Sequence, residues 1–549
     1  MMKRLFLIIA LLASLCQVAY ADDEVENGSP DNYPPDFTGV VIDSTNLPIV
    51  WIDVHGAMIM RDQRITARMK IIHNGDGRLN YGDTVAHPGQ HIDYEGYIAL
   101  RYRGNTSYSL SAKKPYSFRT LERPLEQGGK KKKVSILGMG KDNNWALLAP
   151  YSDRSMIRDL LSFEIARPWM EYTPHAKLCE LFLDGTYYGV FILSEVVSQG
   201  THRLNLPDPG EEDDELTGGY LMEVGDHDHD STNYISKYSP VSGDGYVTYS
   251  DCKIEFVHKF PDPEDLTDEQ REYICRAIDR MEDTFASSHF KDPDSGYCKY
   301  IDVQSFMDYQ LVNELGHNVD AYRLEAKFFK RRDSEDPRFK MAIWDMNLAF
   351  GNCRHNQGSS TSGWVSRYNS MLYRNGDSHM VPFWWYKLIS DNSYVRKRFA
   401  RWAEWRNSYL RKDRLNATID SLANVVTCCG AEERNSQAWP RWGVWVWPNV
   451  YVSKSYDDEI NYLKDWITRR ITWLDGILEY TPPEPEFKVG DVNNDGEVNI
   501  ADITDLINIL LTHPALDAET FLRADIDQDN EVTISDITAL INLILKGGS

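Results

Sequence analysis

The chain has 549 residues and a formal charge of −24 at pH 7. An acidic surface of that size excludes nonspecific nucleic-acid binding, which depends on clustered Lys and Arg neutralising phosphates. The length exceeds one small domain and leaves room, beside a small module, for one large two-lobed domain or for two domains.

Residues 1–21 carry Lys3 and Arg4, an apolar run from Leu5 to Leu15 and a small-x-small end at Ala19-Tyr20-Ala21. This pattern predicts a secretory signal peptide cleaved after Ala21, and so a secreted, extracellular or cell-surface location. No later apolar run approaches ~20 residues, so no transmembrane segment is expected. The cysteines beyond the signal (Cys179, Cys252, Cys275, Cys298, Cys353, Cys428, Cys429) show no metal-type spacing.

Residues 22–45 are acidic, rich in Pro, Asn and Gly, and without apolar period, which predicts a flexible leader. A body is expected over residues 46–480. Its first half reads as strands at Pro48 to Val54, Ile65 to Ile72, Tyr97 to Tyr102, Pro115 to Arg119, Leu178 to Leu183, Tyr188 to Glu195 and Tyr220 to Val224. One helix interrupts them, from about Arg154 to Ala166, with Asp153 as N-cap and Ile157, Leu160, Leu161 and Ile165 on one face. Helices dominate beyond Leu266. Thr267 and Gln270 form a capping box, and further helices are read at Ile301 to Leu315, Tyr394 to Arg411 and Glu459 to Leu478. Strands followed by helices predict an α+β fold.

Several short patterns in this body can carry chemistry. Arg103-Gly104-Asn105-Thr106-Ser107 is a small-residue turn after a strand, followed by Lys113-Lys114-Pro115-Tyr116. Such a loop and lysine-bearing strand can hold phosphate, and a hairpin with surface lysines looks the same. Lys130 to Lys133 reads as a solvated loop. Asp184-Gly185 opens a hairpin whose outgoing strand ends at Glu195, and Asp320 and Asp345 lie at loop and strand ends. Acidic residues so placed can orient a hydroxyl and hold magnesium; turn and cap roles compete at each position. Asp226-His227-Asp228-His229-Asp230 reads as a solvated insertion. The tryptophans 439, 442, 445 and 447 read as packing residues, with a sugar-stacking surface as the alternative.

Taken in order, Arg103 to Ser107, Lys113 to Tyr116, Asp153-Arg154-Ser155 with Arg158, Asp184-Gly185 with Tyr187, Gly218-Gly219-Tyr220 with Glu223, Asn318 with Asp320, Trp344-Asp345, and Leu463, Trp466, Arg470 and Trp473 resemble the spore-coat-protein-H (CotH) kinase family. The resemblance implies a divergent protein-kinase-like fold. It also implies transfer of the ATP γ-phosphoryl group to Ser or Thr of a secreted protein substrate, with Mg²⁺ or Mn²⁺. Carried over by position, it makes Asp320 the catalytic aspartate that orients the acceptor hydroxyl. Asp345 becomes the metal-binding aspartate, joined by Glu325 and Asn347. Lys114 becomes the phosphate-pairing lysine, with Arg103 and Glu195 as further nucleotide contacts. Five residues after Asp320 the family usually has Asn where this chain has Glu325, and two after Asp345 it often has Asp where this chain has Asn347. The exchange of one amide and one carboxylate conserves oxygen ligands and charge.

Residues 481–488, with Pro482, Pro483 and Pro485, predict a stiff extended linker. Residues 489–549 carry one ligand pattern twice, 34 positions apart. The first copy is Asp491, Asn493, Asp495, Glu497, Asn499 and Asp502; the second is Asp525, Asp527, Asp529, Glu531, Thr533 and Asp536. Oxygens at loop positions 1, 3, 5, 7, 9 and 12 suit calcium, with position 7 giving its backbone carbonyl. Position 6 must tolerate positive φ, and Gly496 and Asn530 occupy it. An apolar helix follows each loop, Ile503 to Leu511 and Ile537 to Leu545. The repeat resembles a type I dockerin, which implies a small all-α module, two Ca²⁺ ions and a cohesin partner met around Ile500, Ala501, Ile534 and Ser535. Two other readings stand beside a tethered secreted kinase: a weak or inactive scaffold of an extracellular assembly, and a carbohydrate-binding component.

Overall fold

The computed structural model describes residues 35–225, 233–483, 488–514 and 516–547. The expected signal peptide, most of the expected leader, the segment Asp226 to Asp230 and the middle of the expected linker lie outside these. The chain divides into two compact units, residues 1–480 and 481–549.

The first unit begins with a closed seven-stranded barrel. Its strands are β1 (Ile49–Asp53), β2 (Ile65–Ile72), β3 (Ile92–Tyr102), β4 (Tyr116–Leu121), β5 (Asn144–Leu148), β6 (Ala176–Leu183) and β7 (Thr186–Glu195). Their order is β1-β2-β3-β4-β5-β7-β6, and β6 returns to β1. That closing pair is parallel, with Ile49 opposite Glu180, and every other pair is antiparallel. Closure removes the exposed sheet edge. Alternate residues fill the interior: Ile52, Met69, Ile98, Leu100, Phe118, Trp145, Leu181 and Phe191 are all buried there.

The helix between β5 and β6 is α1 (Arg158–Ala166), shorter than its apolar period suggested. Asp153 does not cap it by the usual single turn. Its carboxylate takes the Ser155 hydroxyl and the Arg158 backbone N–H, so residues 153–157 form a separate buried turn. The leader also ends sooner than expected. Phe37 stacks on Tyr188 at 4.8 Å, and Ile42 is buried with Tyr187 and Trp439.

A second sheet follows, all antiparallel, from β8 (Tyr220–Val224), β9 (Tyr234–Ile235), β10 (Glu255–Phe260), β11 (Ala326–Lys330) and β12 (Phe339–Ala342), in the order β9-β10-β8-β11-β12. Helices α2 (Asp268–Ala286), α3 (Val303–Gly316), α4 (Asn392–Arg406), α5 (Lys412–Thr427), α6 (Ala431–Ala438) and α7 (Tyr456–Ile477) make up most of the rest. The Thr267 and Gln270 capping box opens α2 as read from the sequence. The architecture is α+β, strand-rich first and helical later. Among the described residues no helix is long and apolar enough to cross a membrane.

The second unit contains α8 (Ile500–Thr512), α9 (Ala518–Ala524) and α10 (Ile534–Gly547). Its core is small: Val492, Leu506, Ala524 and Leu540 are buried.

Candidate functional site

Helix α3 delivers the first candidate residue. It ends at His317, whose φ of 48° turns the chain sharply into Asn318 and Asp320. Burial and then Arg470 push the His317 pKa down to about 3, so the ring is neutral, and it meets the Ser360 carbonyl and the Tyr368 hydroxyl. Two further bonds orient the loop. The Asp320 N–H donates to Asn318 Oδ1 at 3.3 Å, and Arg323 donates to Asp320 Oδ1 at 3.0 Å. The buried Arg323 fork also reaches Asp377 at 2.7 Å, so one Asp320 oxygen is held while the residue still lines a cleft.

Asp345 follows β12 on a backbone with φ of 52°, and Glu325 precedes β11 with φ of 51°. Left-handed backbone at two non-glycine carboxylates is strain of the kind that collects at working sites. The two loops are tied: Asn318 Nδ2 donates to the Asp345 carbonyl at 3.4 Å and to Asn313 Oδ1 at 3.2 Å. Asp159, on the first turn of α1, takes the Met346 N–H at 2.8 Å and fixes the turn from the other side.

The electrostatics follow from this convergence. Asp345 is exposed to the cleft, with protein packed closely around the backbone that carries it. Desolvation, then the charges of Glu325, Asp159 and Asp320, hold it well above the usual carboxylate range, and Arg103 pulls it back. Burial likewise raises Asp159 to about 7. Four carboxylates bordering one space, with Asp345 and Asp159 held above the usual range, form an oxygen-rich site that a hard divalent cation relieves. Asn347 donates its amide to Asp345, and a flip of that amide presents its oxygen instead. Among the described residues these carboxylates are not gathered as closely as Asp525, Asp527 and Asp529, whose ligand oxygens lie within 4.8 Å of one another. They border a space wide enough for substrate oxygens as well as an ion.

The cleft has two chambers that share Arg103, Gly104, Asn105, Glu325 and Trp344. One, of about 450 Å³, holds Asp159, Asp320 and Asp345 together with Leu148, Pro150, Leu348 and Trp447. The other, of about 750 Å³, is walled on the barrel side by Arg and Lys. Arg103 stands at the junction with its guanidinium 5.1 Å from the Trp344 ring.

Two expected nucleotide contacts lie elsewhere. Lys114 donates to the Tyr108 carbonyl, sits over the Tyr108 ring and is not among the cleft-lining residues. Its neighbour Lys113 is wholly buried between the Val190 carbonyl and Asn435, because successive residues entering a strand face opposite sides. Glu195 is buried as a hub for Tyr172, His175 and the Gly140 N–H. Burial opposes its charge, yet His175 and Arg203 outweigh that and lower its pKa. Sequence reasoning missed Asp159, one residue past a pattern that proves structural: Arg158 joins Asp153 at 2.6 Å to Glu459 at 2.8 Å. It also missed that Lys131 and Lys133 line the cleft. The tryptophans mostly pack. Trp439 donates to the Tyr188 carbonyl and Trp445 to the Asn449 carbonyl, while Trp447 stacks on His355 and lines the smaller chamber.

The two loops of the second unit share one wiring. Asp491 takes the N–H groups of Asp495 and Gly496, as Asp525 takes those of Asp529 and Asn530. Asp502 takes those of Asn493 and Asn499, as Asp536 takes those of Asp527 and Thr533. Gly496 and Asn530 have φ of 91° and 68°, the left-handed turn that position 6 demands. At position 10 of each loop, where α8 and α10 begin, Ile500 and Ile534 are 73% and 76% exposed.

No curated protein matches the chain. Residues 489–545 match the dockerin type I domain and residues 100–474 match the family described as CotH kinase protein. The second match runs from the end of β3 through most of α7 and encloses Asp159, Asp320, Glu325 and Asp345. The chain therefore belongs to the CotH kinase protein family and carries a dockerin type I domain behind it.

Proposed function

We propose that the protein is a secreted kinase of divergent protein-kinase-like fold, which transfers the γ-phosphoryl group of ATP to Ser or Thr of extracytoplasmic proteins. The observation that carries this reading is the meeting of Asp320, Glu325, Asp345 and Asp159 with Arg103 at the junction of two chambers. Phosphoryl transfer needs little covalent chemistry from a protein and a great deal of positioning and charge.

Asp320, held by Arg323, sets its free oxygen toward the acceptor hydroxyl. As the acceptor oxygen bonds to the γ-phosphorus, the bond to the β,γ-bridging oxygen breaks, ADP leaves and the hydroxyl proton passes to Asp320. Arg103 neutralises phosphate charge at the chamber junction, the role first expected of Lys114. Asp345, Glu325, Asp159 and the Asn347 carbonyl are the donors that would hold Mg²⁺ or Mn²⁺, which supplies charge neutralisation at the phosphate oxygens. The apolar portions of the smaller chamber suit a nucleobase.

The dockerin type I domain supports calcium binding at both loops and a cohesin partner. The paired exposed Ile500 and Ile534 favour an apolar docking face. Tethering is then the module's contribution, and the body's is chemistry.

The test is incubation of residues 22–480 with labelled ATP and Mg²⁺ or Mn²⁺. Asp320→Ala and Asp345→Ala are each expected to lower label transfer by about 10²-fold or more. Unchanged labelling in both variants defeats the assignment, and wild-type protein that binds no ATP points to a scaffold.

A further inference from the structure

The larger chamber is not built for a nucleobase. Its barrel side carries six cationic side chains, Arg61, Arg64, Arg101, Arg119, Lys131 and Lys133, on a chain whose formal charge is −24. Strand geometry explains the crowding. Ser117 lies opposite Arg101 and Arg119 lies opposite Ala99, so Arg101 and Arg119 project from one face of β3 and β4. Arg64 joins them and donates to the carbonyls of Ala99 at 3.0 Å and Ser117 at 3.1 Å, and to the Ser117 hydroxyl at 3.0 Å. None of those partners is a carboxylate. Burial, then Arg119 and Arg101, lowers the Arg64 pKa to about 9, which reports like charges held together.

On this wall Asp142 is occupied with the N–H groups of Asn143 and Asn144. Asp62, exposed beside Arg61, is one further acidic residue on this side; across the chamber Glu223 is engaged by Lys327 and Lys259, and Asp208, Asp262 and Asp265 also line the cleft. An anionic segment is therefore drawn to the cationic wall and turned from the acidic residues, which fixes its side of the chamber. The wall leads to Arg103 and Glu325, where the carboxylates stand.

We propose that this wall seats the acceptor: an acidic peptide segment, with Asp or Glu flanking the target hydroxyl. The proposal rests on the phosphoryl-transfer reading for its chemistry but not for its binding. A nucleotide would extend from the smaller chamber and the acidic segment from the larger, meeting at Arg103.

The test uses the full chain with calcium and fluorescent peptides of one length carrying a central Ser, flanked by Glu, by Lys or by neutral residues. Anisotropy reports binding without turnover. The Glu-flanked peptide is expected to bind best, with affinity falling as salt rises. Lys131→Gln and Lys133→Gln, both at exposed positions, are each expected to weaken it by about 2- to 5-fold, the range for solvent-screened pairs, while affinity for a fluorescent ATP analogue stays unchanged. Preference for the Lys-flanked peptide, or equal binding of all three, overturns the proposal. Loss of nucleotide affinity in either variant also overturns it and assigns the wall to the triphosphate. Acidic-peptide binding without any label transfer defeats the kinase reading alone and leaves the wall's specificity standing.

Discussion

A single buried carboxyl shows how finely the body is balanced. Glu282 on α2 is wholly inaccessible; one of its oxygens takes the Ser236 hydroxyl at 2.6 Å and the other has no partner among the described residues. Burial raises its pKa to about 8, so the folded protein keeps this group protonated at neutral pH. The unfolded chain releases the proton at the ordinary carboxylate value. The folded state thus binds more protons between that value and about 8, and stability from this group is lost as pH rises through the window. Glu282→Gln preserves the acceptor for Ser236 and removes the ionisation. Urea unfolding from pH 5.5 to 8.5 should show the wild type losing stability relative to the variant by up to about 1.4 kcal/mol per pH unit. Parallel profiles would place the proton elsewhere. Lys113 and Lys114 make the complementary point about legibility. Their spacing showed a lysine-bearing strand entry, but only the packing of Asn435 and Tyr108, distant or looped in sequence, decided that neither ammonium faces the cleft.

At the level of elements, α7 braces the loop that carries Asn318 and Asp320. Arg470, fully buried, donates to the Glu314 carbonyl at 2.8 and 2.6 Å and to the carbonyls of Thr361 and Gly363. It satisfies the last turn of α3 just before His317 and Asp320, where a helix leaves carbonyls unpaired. Lysine cannot reproduce this fork. Arg470→Lys should therefore cost about 3 kcal/mol or more in denaturant unfolding, close to the effect of Arg470→Met, since both leave buried Glu314 and its carbonyl short of partners. Full stability in Arg470→Lys would show that the charge alone suffices. Individual elements were readable where the signal is local: the capping box of α2, the β6 to β7 hairpin at Asp184-Gly185 and the repeated loops all formed where expected. Barrel closure was not, because Ile49 and Glu180 meet only through a pairing that neither strand announces. Asp159 was hidden for a related reason. It sits on a helix face among apolar residues, and its value arises from Met346 and Asp345, far along the chain.

At the scale of the whole molecule, the two compact units differ in what holds them. The body has extensive buried clusters in and around its barrel and helices. Among its described residues the second unit buries four apolar side chains and concentrates carboxylates, with Asp525, Asp527 and Asp529 within ligand distance of one another. Burial and the charges of Asp536 and Asp529 already raise Asp525 against the Asn530 and Asp529 N–H bonds, so without a cation the loop works against its own charge. A ligand that binds only the folded module stabilises it by about 4 kcal/mol at a thousandfold excess over Kd. That is most of what so small a core can supply. Calorimetry of the full chain in calcium should resolve two transitions, and a chelator should abolish only the one belonging to residues 489–547. The loops' shared wiring requires a further result. Asp491→Ala and Asp525→Ala, equivalent positions in the two copies, should each reduce calcium uptake from two ions to one and lower the same transition, because α8 and α10 pack on a common core. A chelator-insensitive module, or variants that move the body's transition instead, would mean that these loops are held by packing alone.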